Sequence, residues 1–221
     1  MTTLIIGGTS GLGYKLALAL AKTNEEVYVT GRRELDEKTN IIYKQFDLTT
    51  PNLPERIHGL IESLPTITTL IYAAGYFQDG RVTDLSAEQI EEMIDVGGRG
   101  LIYATKEILA KQAGLDELVT ITSTSQWTPR EREPIYNFVK AGAAHFSNAM
   151  AEDGRISKVL VAGPAGMDTA FWDGVARDDS AQLLSPEWVA SEVMALREGE
   201  YKYRFAKILR EPARVKIIET R

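Results

Sequence analysis

The chain contains no cysteine and only two histidines, His58 and His145. A disulfide framework, a cysteine nucleophile and a thiolate metal site are therefore excluded. With so few imidazoles, no metal site is expected. Basic charge is in deficit, with 25 Lys and Arg against 31 Asp and Glu, a net charge of −6 and a pI of about 5.1. That balance argues against a nucleic-acid partner. Long apolar runs are also missing, so no membrane span is expected. Met1-Thr2-Thr3 leads straight into Leu4-Ile5-Ile6, without the basic stretch and long apolar core of a signal peptide. A cytoplasmic protein is the expectation. A length of 221 residues favours one domain, large enough to bury a core without staples.

What is present is an alternation of short apolar runs with amphipathic stretches. Strands are expected at Leu4–Ile6, Val27–Thr30, Ile41–Phe46, Thr69–Tyr72, Leu118–Thr122, Lys158–Ala162 and Val215–Glu219. Helices are expected at Leu12–Ala21, Pro51–Leu64, from Ser86 through Leu109, at Ile135–Ala151 and at Trp188–Arg197. Ser86 and Gln89 fit a capping box, and Ser185-Pro186-Glu187 reads as a cap, a first-turn proline and an acid suited to the helix dipole. The alternation predicts one doubly wound α/β domain, a parallel sheet covered on both faces.

The first strand meets the first helix through Gly7-Gly8-Thr9-Ser10-Gly11-Leu12-Gly13. A phosphate that approaches the N–H groups of a helix N-terminus needs positions without Cβ, and the dipole there favours an anion. The spacing is G-x-x-x-G-x-G rather than G-x-G-x-x-G.

This turn resembles the cofactor motif of the short-chain dehydrogenase/reductase family, and the resemblance continues in order along nearly the whole chain. Asp47-Leu48 matches an adenine-contacting Asp. Tyr72-Ala73-Ala74-Gly75 stands where the family has Asn-Asn-Ala-Gly. Ser123, Tyr136 and Lys140 match its Ser and Tyr-x-x-x-Lys. Pro164-Ala165-Gly166-Met167-Asp168-Thr169 resembles its Pro-Gly loop. The resemblance implies a Rossmann fold and a dinucleotide held by Gly7, Thr9, Ser10, Gly11, Leu12, Gly13, Asp47, Leu48, Ala73, Ala74, Gly75, Pro164, Gly166, Met167 and Thr169, with Tyr136 and Lys140 also touching it.

The second strand ends Thr30-Gly31-Arg32-Arg33, with no acid at its tip to accept from a ribose 2′-hydroxyl. Two guanidinium groups suit a 2′-phosphate. The expected cofactor is NADP(H), ahead of NAD(H). Glu34 could neutralise one Arg.

Tyr136 and Lys140 are four apart and share a helix face. Ser123 follows the fifth strand, where such sheets bind ligands. A free phenol ionises near pH 10, and bringing that to about 7 takes about 4 kcal/mol. Two nearby positive charges, Lys140 and an oxidised nicotinamide ring, are expected to supply it. Tyr136 then serves as general acid or base, and Ser123 holds the substrate oxygen. The resemblance adds ribose contacts from Lys140.

Two positions depart from the family pattern. Gly97, in Asp95-Val96-Gly97-Gly98-Arg99-Gly100, stands where the family has a catalytic Asn. Either a backbone carbonyl does the work without the side chain, or catalysis is weakened. Tyr72-Ala73 replaces two amides, and the Tyr72 hydroxyl can seek another partner.

The segment 170–184 is expected to cover the substrate, with Phe171, Trp172, Trp127, Tyr76 and Phe77 as apolar walls. Arg130-Glu131-Arg132-Glu133 reads first as a solvated loop. No room is seen between Arg33 and Ile41 for a helix. The small-residue run 141–144 permits close helix approach, and a homodimer or homotetramer is expected. The reading is an oxidoreductase acting on a small carbonyl or alcohol. A catalytically weak dinucleotide-binding sensor or partner protein is the alternative, and a nucleotide-sugar epimerase a poorer third.

Overall fold

A computed structural model describes residues 1–23, 25–35, 40–172 and 183–221. In chain order the elements are β1 (Thr2–Ile6), α1 (Gly11–Ala21), β2 (Glu26–Gly31), β3 (Ile41–Gln45), α2 (Leu53–Glu62), β4 (Thr69–Tyr72), α3 (Ala87–Ile94), α4 (Gly100–Lys111), β5 (Leu115–Ile121), α5 (Pro134–Met150), β6 (Ile156–Pro164), α6 (Pro186–Leu196), β7 (Tyr203–Arg210) and β8 (Ala213–Thr220). They build one eight-stranded sheet in the order β3-β2-β1-β4-β5-β6-β7-β8, parallel throughout except for β7 against β8.

The doubly wound α/β architecture is as expected. β1 shows why its residues form a central strand. Leu4 and Ile6 point into one core and Ile5 into the other, and all three are buried. Side chains alternate across a strand, so a strand covered on both faces reads as an unbroken apolar run. One core lies under α2, α4 and α5, and the other under α1 and α6. The order of strands reverses between β1 and β4, which opens a crevice at their carboxyl ends.

Three details differ from the expectation. β7 is not in the sequence reading, because Arg204, Lys207 and Arg210 break up its apolar residues. Tyr203, Ala206 and Ile208 are nevertheless buried. The last strand is longer than expected and runs antiparallel. The long middle helix is not continuous. A π turn, Asp95–Arg99, separates α3 from α4, with the Gly100 N–H bonded back to the Asp95 carbonyl. Gly97 and Gly98 lie within it, where weak helix propensity makes the extra residue tolerable. The expected capping box at Ser86 and Gln89 is formed in both directions.

Residues 32–35 carry no helix. The rest of the connection, 36–39, and the covering residues 173–182 lie outside the described residues. Ala143 and Ala144 are buried inside the chain, so of the 141–144 run only Ala141 and Gly142 reach the surface.

Candidate active site

The glycine turn after β1 is shaped by contacts that admit no Cβ. Gly7 has φ +85°, and its N–H and that of Gly8 both donate to the Thr30 carbonyl, at 3.1 and 2.9 Å. A Cβ on Gly13 would lie 2.1 Å from the Gly7 carbonyl oxygen, so glycine lets α1 start directly behind the strand. Ser10 caps α1 by position, but its side chain accepts no helix N–H, and the first turn holds no acid. The N-terminal amides are thus left for an anion. Thr9 packs on Gly31, and Leu12 is buried. Thr169 comes next to Gly11, its methyl 3.6 Å from where a Cβ would stand. A cleft of about 480 Å³ opens here, lined by Gly11, Lys15, Asp168, Thr169, Pro186 and Glu187 among others.

Arg32 and Arg33 follow β2 and are both exposed. Arg32 is near enough to Tyr76 to pull its phenol pKa down, though burial and Glu92 raise it further. The Asp47 carboxylate accepts from the Thr49 N–H and hydroxyl, each at 2.9 Å, which builds the turn into α2. Leu48 is buried beneath it. Ala73, Ala74 and Gly75 follow β4, and Gly7 presses on Ala74. Pro164 ends β6. Beyond it, Met167 bridges to Leu184, and the Leu184 N–H donates to the Gly166 carbonyl at 3.0 Å.

Ser123, Tyr136 and Lys140 come together at the carboxyl end of β5. Tyr136 and Lys140 lie on α5 and are buried, 6% and 5% exposed. The Ser123 hydroxyl lies near enough to the Tyr136 phenol to draw its pKa down. The Lys140 Nζ donates to the Ile121 carbonyl at 3.2 Å and stands 5.6 Å from the centre of the Tyr136 ring. Phe77 meets that ring edge-on at 5.2 Å, Phe171 lies 6.1 Å from it, and Trp172 packs on both.

This enclosure decides the electrostatics. Burial, with the nearby Glu133 carboxylate, pushes the Tyr136 phenol pKa up, outweighing the opposite pulls of Ser123 and Arg130. Burial alone pushes Lys140 down to about 8. The expected lowering of the phenol by Lys140 is absent from the chain by itself, because both groups are shut off from water. In this state the phenol is held in its protonated form.

Of the other aromatic residues named from sequence, Trp127 packs on Phe205 at 5.8 Å, and Tyr76 packs against the core under α2, α4 and α5. The loop arginines are engaged, Arg130 with Glu133 and Arg132 with Asp79. Sequence reasoning overlooked Ser125 and Val139. Ser125, 3% exposed, lies two residues after Ser123, and its N–H donates to the Ser123 Oγ at 3.2 Å. Val139 fills the space beside Gly97, where a Cβ would stand 2.2 Å from its Cγ1.

Residues 1–180 match the sequence profile of the short chain dehydrogenase family. The chain belongs to that family. Among its relatives are an uncharacterised oxidoreductase of Staphylococcus epidermidis, 24% identical over 215 residues (90% of this chain and 91% of the relative), and a short chain dehydrogenase of Aspergillus fumigatus, 28% identical over 191 residues (77% and 73%). In fold it is similar to a short-chain dehydrogenase from Sphingobium yanoikuyae in complex with NADPH, with a TM-score of 0.77, 21% identity and coverage of 88% of this chain and 82% of that one. The closed form of a serine dehydrogenase complexed with NADP+ matches with a TM-score of 0.76 and 22% identity, over 93% and 94% of the two chains. As a short-chain dehydrogenase this chain is an oxidoreductase, and no described helix is long and apolar enough to cross a membrane.

Proposed function

We propose that this short-chain dehydrogenase is NADP(H)-dependent and reduces a small carbonyl compound, or oxidises the corresponding alcohol. The observation that carries the reading is the meeting of Ser123, Tyr136 and Lys140 at the sheet's carboxyl edge, beneath an aromatic wall. The uncapped amides after Gly11 and the exposed Arg32 and Arg33 fit the phosphates of the cofactor, and family members of this fold have NADPH or NADP+ bound. When bound, the nicotinamide supplies or accepts the hydride.

The chain's own residues do the rest. Gly7, Thr9, Ser10, Gly11, Leu12 and Gly13 cradle the pyrophosphate, Arg32 and Arg33 hold the 2′-phosphate, and Asp47 and Leu48 border the adenine. Ala73–Gly75 and Pro164–Thr169 flank the remainder. Ser123 donates to the substrate oxygen and orients it. Tyr136, kept neutral by its burial, gives that oxygen a proton, and Lys140 steadies the phenolate that remains. Phe77, Phe171 and Trp172 keep water away and favour an apolar substituent.

A second reading, a dinucleotide-binding sensor with weak catalysis, draws on Gly97, which offers no side chain to the site. Phe138 on α5 and Ile102 on α4 are 67% and 43% exposed, and pairing of these helices in a homodimer or homotetramer belongs to the proposal.

The test is to titrate NADPH and NADH into the protein and then follow NADPH oxidation across a panel of small aldehydes and ketones. Tighter NADPH binding with turnover of at least one carbonyl is expected. Binding without turnover would favour the sensor.

A further inference from the structure

We propose that Ser125 is a positioning residue for Ser123. Fixed by Arg130 and Glu133, it holds the Ser123 hydrogen, so Ser123 first meets the substrate oxygen as an acceptor and the site favours the alcohol over the carbonyl as bound ligand. This rests on the reading of Ser123 as the group that touches that oxygen.

The hydrogen bonds around Ser125 leave one arrangement of protons. A serine hydroxyl has one hydrogen to give and two lone pairs to accept with. The Ser125 Oγ lies 2.7 Å from Glu133 Oε2, and a carboxylate only accepts, so the Ser125 hydrogen goes there. Arg130 Nη1 stands 2.9 Å from the same Oγ, and a guanidinium only donates, so one lone pair is taken. A single lone pair remains. The Ser123 Oγ is 3.2 Å away, and in that contact Ser123 has to be the donor.

The consequence falls on Ser123. Its oxygen also accepts from the Ser125 N–H, at 3.2 Å. With its hydrogen and one lone pair engaged, it has one lone pair left for a ligand. An alcohol can donate to that lone pair at once. A carbonyl oxygen has no hydrogen to offer, so Ser123 has to leave Ser125 and turn before it donates. The step is open, because 3.2 Å is long for a bond between two hydroxyls. It still costs the carbonyl something that the alcohol does not spend.

Ser125 itself is held firmly. It is 3% exposed, so water does not stand in for its partners. Both of its side-chain anchors are charged, which makes them stronger than neutral hydrogen bonds. Arg130 Nη1 also donates to Glu133 Oε2 at 3.1 Å, and its Nη2 donates to the Thr124 hydroxyl at 2.9 Å. The Asn137 amide fixes the backbone, donating to the Ser125 and Thr128 carbonyls at 2.6 and 2.7 Å. The charged run 130–133, expected from sequence to be a solvated loop, is thus divided. Arg130 and Glu133 turn in to Ser125, while Glu131 and Arg132 pair with Arg81 and Asp79.

Ser125→Ala separates positioning from mere support. It removes the acceptor of the Ser123 hydrogen, but keeps the N–H that holds Ser123 and the carbonyl that Asn137 grips. The ligands are the ketone of the panel that the parent reduces best and the matching alcohol. The ketone is titrated into the NADP+ complex and the alcohol into the NADPH complex, where neither can react. In Ser125→Ala the ketone is expected to bind about two- to tenfold more tightly, the worth of one neutral hydrogen bond no longer broken, with the alcohol unchanged. A support would weaken both. Equal changes for the two ligands, or a weaker ketone, would overturn the proposal. If no ketone is reduced, the oxidoreductase reading fails, and the proton arrangement is decided without a ligand by neutron diffraction from deuterated crystals of the parent. The Ser123 deuterium is expected to point at Ser125 Oγ and the Ser125 deuterium at Glu133. A Ser125 deuterium pointing at Ser123 would overturn the proposal.

Discussion

The Tyr72 hydroxyl donates to the Val96 carbonyl at 2.5 Å, joining the end of β4 to the π turn. Tyr72 is 1% exposed, and a Cβ on Gly100 would stand 2.2 Å from its hydroxyl oxygen. The tyrosine thus occupies space that glycine leaves open and satisfies a carbonyl in an irregular stretch of helix. The two departures from the family pattern, at Tyr72 and at Gly97, meet in this one turn. Tyr72→Phe leaves a buried acceptor without its donor. A loss of about 1–3 kcal/mol is expected in urea unfolding, and unchanged stability would show that Tyr72 acts by its ring alone.

Gly97 and Val139 are a packing pair. Gly97→Ala drives a Cβ into Val139 and is expected to destabilise by about 1–3 kcal/mol. Val139→Ala opens the space, so the double variant should recover part of that loss. A double-mutant cycle measures the coupling. Simple additivity would contradict the contact.

Lys140 makes a pH prediction. Its folded pKa is pushed down to about 8 from 10.5 by burial. Between those values the unfolded chain binds a proton that the folded chain does not, so this group makes stability rise with pH. From pH 8 to 10 the rise is on the order of 2 kcal/mol. Above that, Tyr136, held protonated in the folded state, makes stability fall again. Urea unfolding at several pH values should show the rise in the parent, and Lys140→Met should lack it.

Arg32 is expected to set cofactor choice. Arg32→Ala should weaken NADPH binding by roughly 1–3 kcal/mol, the worth of a hydrogen bond to a charged group, and leave NADH nearly unchanged. An equal loss for both cofactors by titration would remove Arg32 from contact with a 2′-phosphate.

Much of this site is legible in the sequence because backbone geometry leaves marks there. Gly7 and Gly13 are glycines for reasons of space, Tyr136 and Lys140 share a helix face, and Ser123 follows a strand. β7 is not legible, because Arg204, Lys207 and Arg210 dilute the apolar signal of an outer strand. The π turn is only hinted at by Gly97 and Gly98, since one extra residue in a helix shifts its apolar stripe without erasing it. Val139 and Ser125 carry no signature of their own. Their roles depend on what the fold sets opposite them, Gly97 in one case and Glu133 in the other.

The central claim is that Tyr136 exchanges the proton in an NADPH-dependent reduction. The measurement is the turnover of Tyr136→Phe on whichever carbonyl the parent reduces, alongside NADPH binding by both proteins. Turnover reduced at least about a hundredfold with NADPH affinity retained is the expected result. Turnover at the parental rate would contradict it.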